Sequence, residues 1–362
     1  MNRERKRSLK YIYRSQITIH HSLESMKKKY INWGIYLLVL MALLVGSVLL
    51  SLTVGEVKFT LFDLREIIQN KDGLEYTVLS KIRFPRIILG LAVGGSLSLA
   101  GVILQGIYRN PLVEPYTLGI SGGAALGVAI TIVFGLHLTL GAFMLPLSGF
   151  VGSLVIIFLV YFLGIRRSNF NINNMLLIGV MISFMASSTM MFLMSTTTSE
   201  NLHSIVFWIM GSLDEPNLML VKTVFYASLS GLVIAFLFSR SLNALRLGQA
   251  RAKHLGINTG FAIRVLFVVA SLLTGICVSV AGVIGFVGLV IPHMLRLIVG
   301  SDFRILLISS FLGGSTFIIL CDVVARTIIS PNELPIGVIT GMVGGLVFII
   351  VLSRSKLKSK IQ

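Results

Sequence analysis

The stretch "YRNPLVEPYTLGISGGAALG", Tyr108–Gly127, interrupts a chain that is otherwise close to hydrocarbon in character. It holds two prolines, an Arg-Asn pair and a carboxylate, followed by glycines at 119, 123 and 127. Pro111 and Pro115 stop one helix and preset the start of another. What the turn connects is decided by the sequence on either side.

Hydrophobic residues make up 55% of the 362, charged residues only 12%, and mean hydropathy is +0.91. Ordinary soluble domains carry about 25% charged residues, so this is a membrane protein. Ten apolar runs, some short or interrupted, lie near 34–52, 87–107, 116–135, 142–163, 175–195, 219–238, 262–281, 284–299, 305–325 and 336–352. A helix needs roughly 18 or more such residues to cross about 30 Å of hydrocarbon. The alternating short strands of a barrel read differently. The expected fold is all-α and polytopic, with about ten transmembrane helices.

A net charge of +17 raises the question of nucleic acid, and its distribution answers it. With the N-terminus inside, 23 of the 31 Lys and Arg fall on the inner side and 10 of the 14 acids on the outer. That is the positive-inside bias, and it gives an N-in, C-in orientation with no nucleic-acid partner. Cys277 and Cys321 lie in apolar runs without metal-site or disulfide spacing and read as core thiols. Residues 1–30 read as a basic, disordered cytoplasmic extension, with Met26 a natural start for the first span. Residues 31–355 read as the membrane domain and 356–362 as a basic cytoplasmic tail.

The loops carry further signals. Outside, "LFDLREIIQN" (61–70) reads as a short interfacial helix, and 196–218 carries acids without any Lys or Arg. Inside, Ser239–Arg264 is basic, free of acids, and divided by Gly248 and Gly256 into two stubs too short to span. Pro292 and His293 interrupt the eighth run and blur its ends. "SLAGVILQ" (98–105) and "SVAGVIGF" (279–286) form a faint internal echo of the kind inverted repeats leave.

Each candidate has a bland reading beside the functional one. Asn110-Pro111-Leu112 is either an ordinary hairpin turn or an inner constriction beside a pathway. Gly119, Gly123 and Gly127, like Gly337, Gly341 and Gly345, recur at four-residue spacing and so share a helix face for close packing. Arg83, Arg86 and Arg326, at outer helix ends, are either posts for acidic groups on an external partner or snorkelling side chains. Among ionisable and polar groups inside the spans, Asp322, His293 and Gln105 are nearly the whole set, and Asp322 can pair with Arg326 one turn on. No G-x-x-x-x-G-K-[ST] phosphate loop occurs, so any ATP is hydrolysed by another chain.

Together, "RFPR" (83–86), "RNPLVEPYTLGISGGAALG" (109–127), "LNALRLGQARAKHLGIN" (242–258), "GFVGLVIPHMLRLIVGSDFR" (285–304) and "ELPIGVITGMVGG" (333–345) resemble the FecCD-type permease subunits of ATP-binding-cassette iron-siderophore and vitamin B12 importers. The resemblance covers nearly all of the chain after residue 30.

It implies a vitamin B12 importer permease-like fold in the bacterial cell membrane. The implied partners are a second permease subunit, identical or paralogous, two cytoplasmic ATP-binding subunits that use ATP and Mg, and an external binding protein or lipoprotein. This chain itself binds no cofactor or metal and is not an enzyme. Asn110, Pro111 and Leu112, with Ile172 and Asn173, resemble a cytoplasmic gate. Arg83, Arg86 and Arg326 resemble docking posts for the binding protein. The inner segment of about 240–262 resembles a coupling loop that seats on the ATPase, through Leu242, Leu245, Leu247, Gly248, Gln249, Ala250, Ala252, Leu255 and Gly256.

Two departures from the family pattern stand out. "GGLVF" (344–348) lacks a usual proline, which predicts a straighter last helix, and Val113 replaces a commoner Ala. Ferric siderophore is the expected cargo, haem and cobalamin being alternatives. An ion-coupled secondary carrier is the rival of another class.

Overall fold

The computed structural model describes all residues except Met1, Glu56, Lys58, Phe59, Leu61, Asn70, Asp72, 166–171, Pro331 and 360–362. Among the described residues every regular element is a helix. In chain order these are α1 (Asn2–Thr53), α2 (Leu64–Gln69), α3 (Leu74–Thr77), α4 (Phe84–Tyr108), α5 (Ile120–Val133), α6 (Leu136–Leu140), α7 (Met144–Ile165) and α8 (Ile172–Thr196). There follow α9 (Ser199–Met210), α10 (Leu218–Leu237), α11 (Ser239–Leu245), α12 (Gln249–His254), α13 (Thr259–Ala281), α14 (Val287–Val299), α15 (Phe303–Thr327) and α16 (Ile336–Ser359). Among the described residues seven helices are long and apolar enough to span, and α5, α14 and α16 supply three shorter apolar ones, matching the ten runs of the sequence.

α4 is the axle of the fold. Its 25 residues cover about 37 Å, and from Pro85 to Tyr108 nearly all of them are buried. Lipid tails are as apolar as leucine, so burial alone does not join helices in a bilayer; close backbone approach does. α4 meets α15 at Gly94 and Gly314, and α14 at Gly101 and Gly288. α5 meets α7 at Gly123 and Gly152. A Cβ at any of these six glycines would overlap the neighbouring backbone.

The expected glycine faces hold unevenly. Gly119 precedes α5 with φ 82° and meets Gly179 of α8, whereas Gly123 and Gly127 share a face against Gly152 and Ser148 of α7, as four-residue spacing predicts. In α16 only Gly337 does so, against the carbonyls of Met210 and Val283. Gly341 faces open space, Gly345 makes ordinary contact, and the tight position is Gly344 against Phe286. The helix presents an adjacent face because Phe286 projects toward it.

α1 departs from expectation at its start. The helix runs unbroken from Asn2, where disorder was expected, and no Gly or Pro occurs before Gly34 to end it. Side chains are described from Lys27 onward. Lys29 bonds Asp302 at 3.1 Å and lies over the Trp33 ring, fastening the inner end of α1 to the α14–α15 turn. Leu44 continues the contact toward Ile319 of α15. α16 is one continuous helix from Ile336 to Ser359.

The interfacial helix α2 lies within the stretch read for it, and the two inner stubs are α11 and α12. The acidic outer loop holds an unforeseen helix, α9, whose first turn is capped by the Thr198 hydroxyl accepting from the Asn201 N–H. α14 is not interrupted at Pro292. The break lies earlier, at Phe286, whose φ of 68° turns the chain between α13 and α14.

Candidate functional site

α14 is a half-helix. Its Gly288 abuts Leu97 and Pro115 and faces Gly101, so it begins level with the middle of α4. The loop after Tyr108 therefore folds back to mid-bilayer depth before α5 begins at Ile120. Irregular backbone at that depth needs partners, and the loop supplies them. The Tyr116 hydroxyl donates to the Ile284 carbonyl at 2.9 Å and accepts from the Ile284 N–H at 3.1 Å. The Glu114 carboxylate accepts from the Phe286 N–H at 2.8 Å, placing an anion at the positive end of α14.

Other non-helical segments join there. The Ser212 N–H donates to Ala281, Val283 to Ile209, and Ile336 to Gly211. Three interhelical breaks and the folded-back loop thus form one hydrogen-bonded centre. Sequence reading had noted Glu114 only as a carboxylate in an apolar stretch and passed over Tyr116 and Phe286.

Pro292 sits within this half-helix. Proline lacks an N–H, so the carbonyl four residues back, on Gly288, loses its helical partner. The Gln105 side-chain amide donates to it at 3.2 Å, while the same side chain accepts from Arg296 at 2.9 Å. The polar residue within α4 thereby makes proline tolerable in α14.

At the inner end, Arg109 adopts a left-handed conformation with φ 52°, and Asn110-Pro111-Leu112 follows as an exposed turn held by the Leu112 N–H on Asn110 Oδ1 at 2.9 Å. This turn and the glutamate beneath it form one segment, so α14 and the inner turn are mechanically joined. Ile172 and Asn173 open α8; their side chains lie outside the described ones.

The inner stubs divide the coupling residues into two groups. Leu242, Leu245 and Ala252 are buried and anchor α11 and α12 to the membrane domain, a correction to their expected contact role. Leu247, Ala250, Leu255 and Gly256 are exposed, Gly248 and Gln249 partly so, and Arg251 and Lys253 stand among them. Gly248, with φ 100°, makes the bend between the stubs.

Outside, the three arginines are not free posts. Arg83, Arg86 and Arg326 are 3%, 5% and 8% exposed. Arg83 donates to the carbonyls of Leu52 and Val57, tying the end of α1 down. Arg326 bonds Asp322 at 2.9 Å and the Ser51 hydroxyl at 2.9 Å. Arg86 grips Glu333 with both terminal nitrogens and lies 3.7 Å from Asp322. Scarcity of outer basic residues suggested exposure; these side chains turn inward because Asp322 and bare carbonyls await them. Only Glu333, with its side chain 46% exposed, opens the cluster to the outside. Arg86 holds its carboxyl below the usual range through their hydrogen bonds, against partial burial.

Among the described residues, ten apolar helices, one of them a half-helix braced at mid-depth, and a basic helix pair on the inner face define a polytopic transport subunit. The chain belongs to the FecCD transport family, whose model matches residues 42–354. It is similar to the vitamin B12 import system permease BtuC of Klebsiella pneumoniae, 35% identical over 94% of this chain and 98% of that one. It is also similar to the hemin transport system permease HmuU of Yersinia pestis, 36% identical over 76% of this chain and 83% of that one. A solved metal-chelate type ATP-binding-cassette transporter in an inward-facing conformation superposes with a TM-score of 0.80 at 32% identity, covering 88% of this chain and 98% of the other. The chain is thus a multi-pass membrane permease subunit of an ATP-binding-cassette importer, and ATP hydrolysis belongs to a separate chain.

Proposed function

We propose that this subunit forms, with a second permease, the pathway for a ferric siderophore delivered from outside by a binding protein or lipoprotein and driven by two cytoplasmic ATPase subunits. Haem and cobalamin are the alternative cargoes. Support for a chelated metal comes from the relatives, among them a hemin permease and a metal-chelate transporter matched over most of the chain. The cobalamin relative is as similar, and keeps that alternative open.

The observation that carries the mechanism is the shared bond between Glu114 and the Phe286 N–H. The ATPase seats on the exposed residues of α11 and α12, and nucleotide-driven movement reaches the spans through the anchors Leu242 and Leu245. The half-helix and the Asn110-Pro111-Leu112 turn then shift as one piece, so the turn opens or closes the inner mouth. Direction comes from ATP-biased states and needs no tight binding of cargo to the walls. α8 leaves most of its apolar surface uncovered by the chain. Met181, Phe184 and Met185 on that surface, with Met342 and Leu346 of α16, provide a face for the second permease. Outside, an acidic group of the binding protein reaches Arg86 by displacing Glu333.

Growth of a strain lacking the chain on single sources tests the cargo. Loss of growth on ferric siderophore with retained use of haem and cobalamin is expected. Normal siderophore growth with loss of either other nutrient overturns the assignment.

A further inference from the structure

A second site lies at the inner end of α4, bordered by the Gln105–Arg296 pair. A cavity of about 360 Å³ is bounded by Gln105, Arg109, Arg246, His293, Arg296 and Phe303, among others. Three guanidinium groups and an imidazole border it, and among the described residues no carboxylate does. The nearest acid in sequence, Asp302, is already committed to Lys29, Asn243 and the Arg304 N–H.

The cations are under-used. Arg296 donates to Gln105 Oε1 at 2.9 Å and Arg246 to the Ser301 carbonyl at 2.6 Å, each through one nitrogen. His293 is packed edge-on to Phe348, and neither buried ring nitrogen has a hydrogen-bond partner. Arg246 and Arg296, both cationic, border the same cavity. A guanidinium carries five donors in a planar fork suited to oxyanions. Clustered like charges with spare donors around a space of this size suit an oxyanion: free phosphate carries nearly two negative charges at neutral pH, and the phosphodiester of an anionic lipid carries one.

We propose that this cavity binds a phosphate group, free or carried by an anionic lipid of the inner leaflet. Its three arginines come from separate elements: Arg109 from the inner turn, Arg246 from the bend between α11 and α12, and Arg296 from the half-helix. One bound anion ties these together. Occupancy therefore stabilises the arrangement seen here and restrains relative motion of the three. The binding claim rests on the cavity and the orientation of the chain alone, not on cargo or coupling.

The test uses the full chain in nanodiscs of phosphatidylcholine, titrated with inorganic phosphate against chloride at matched ionic strength, with the thermal unfolding midpoint as readout. A phosphate-specific rise is expected. Arg246→Gln, at an exposed position, is expected to leave the phosphate-free midpoint unchanged and weaken apparent phosphate affinity about tenfold, the loss of one charge-assisted hydrogen bond. Nanodiscs containing phosphatidylglycerol separate the sources. A raised midpoint that no longer responds to phosphate, and that falls in Arg246→Gln, assigns the site to lipid; a persisting phosphate response assigns it to the free anion. Equal responses to phosphate and chloride without any Arg246-dependent effect of phosphatidylglycerol overturn the proposal, as does a phosphate response that Arg246→Gln leaves intact.

Discussion

Gln105 donates its side-chain amide to the carbonyl of Gly288, 183 residues away, and so supplies the bond that Pro292 withholds from its own helix. A polar residue in one membrane helix and a proline in another are a single structural unit.

That unit can be taken apart by substitution. Gln105→Leu leaves a buried carbonyl unpaired and is expected to cost about 1–3 kcal/mol. Pro292→Ala in that background restores an N–H to Gly288 and is expected to recover much of the loss. Thermal unfolding of the single and double variants in detergent gives the coupling; additive effects would show the two residues to be independent.

Glycine positions separate by what a methyl group would meet. Gly101→Ala drives a Cβ into the backbone of Gly288 and is expected to destabilise by about 1–3 kcal/mol or more. Gly341→Ala meets nothing within the chain and is expected to leave the monomer unaffected. Size-exclusion profiles and unfolding midpoints of the two variants make the comparison.

The outer arginine cluster predicts unequal losses. Arg86→Gln leaves Asp322, whose side chain is 6% exposed, with Arg326 as its remaining cation, and removes Glu333's partner; a loss of about 3 kcal/mol is expected, the low end for breaking a buried pair. Glu333→Gln, half-exposed, should cost under about 1 kcal/mol. Similar midpoints for the two variants would refute the buried assignment.

Acid should act through the same pair. The Glu333 carboxyl is held below its ordinary value of 4.5 in the folded chain. Its contribution is therefore complete above that value and disappears as pH falls through the lower, folded one. Stability measured downward from pH 5 should decline less steeply in Glu333→Gln than in the parent chain.

Replacing Gly248–Gly256 with a flexible Gly-Ser linker removes the exposed residues of α12 while leaving Leu242 and Leu245 seated. Loss of co-purification with the ATPase, with the permease still folded, is the expected result. Retained co-purification would place the contact elsewhere.

Much of this was legible in the sequence because apolar length and charge asymmetry are one-dimensional signals. They marked ten spans, the inner face and the helix pair around Gly248. Side-chain direction is not one-dimensional, and there the sequence misled. Arg83, Arg86 and Arg326 sit at helix ends and Arg326 pairs with Asp322 one turn back, as read, yet all three point inward, toward further partners 26 to 275 residues away. The Phe286 break was hidden because Pro292 is the stronger local signal, and its cost is met by Gln105 from a distant helix. Glu114 and Tyr116 could have been flagged as polar groups too deep to stand alone; their partners are backbone atoms, which leave no trace in residue identity.

The Gly211 carbonyl accepts from the Ile336 N–H at the start of the final helix. During synthesis that carbonyl lacks this partner until the final helix has emerged from the ribosome. Maturation of the centre is therefore a late, concerted event, and a chain truncated before residue 336 would remain an inserted but unfinished bundle.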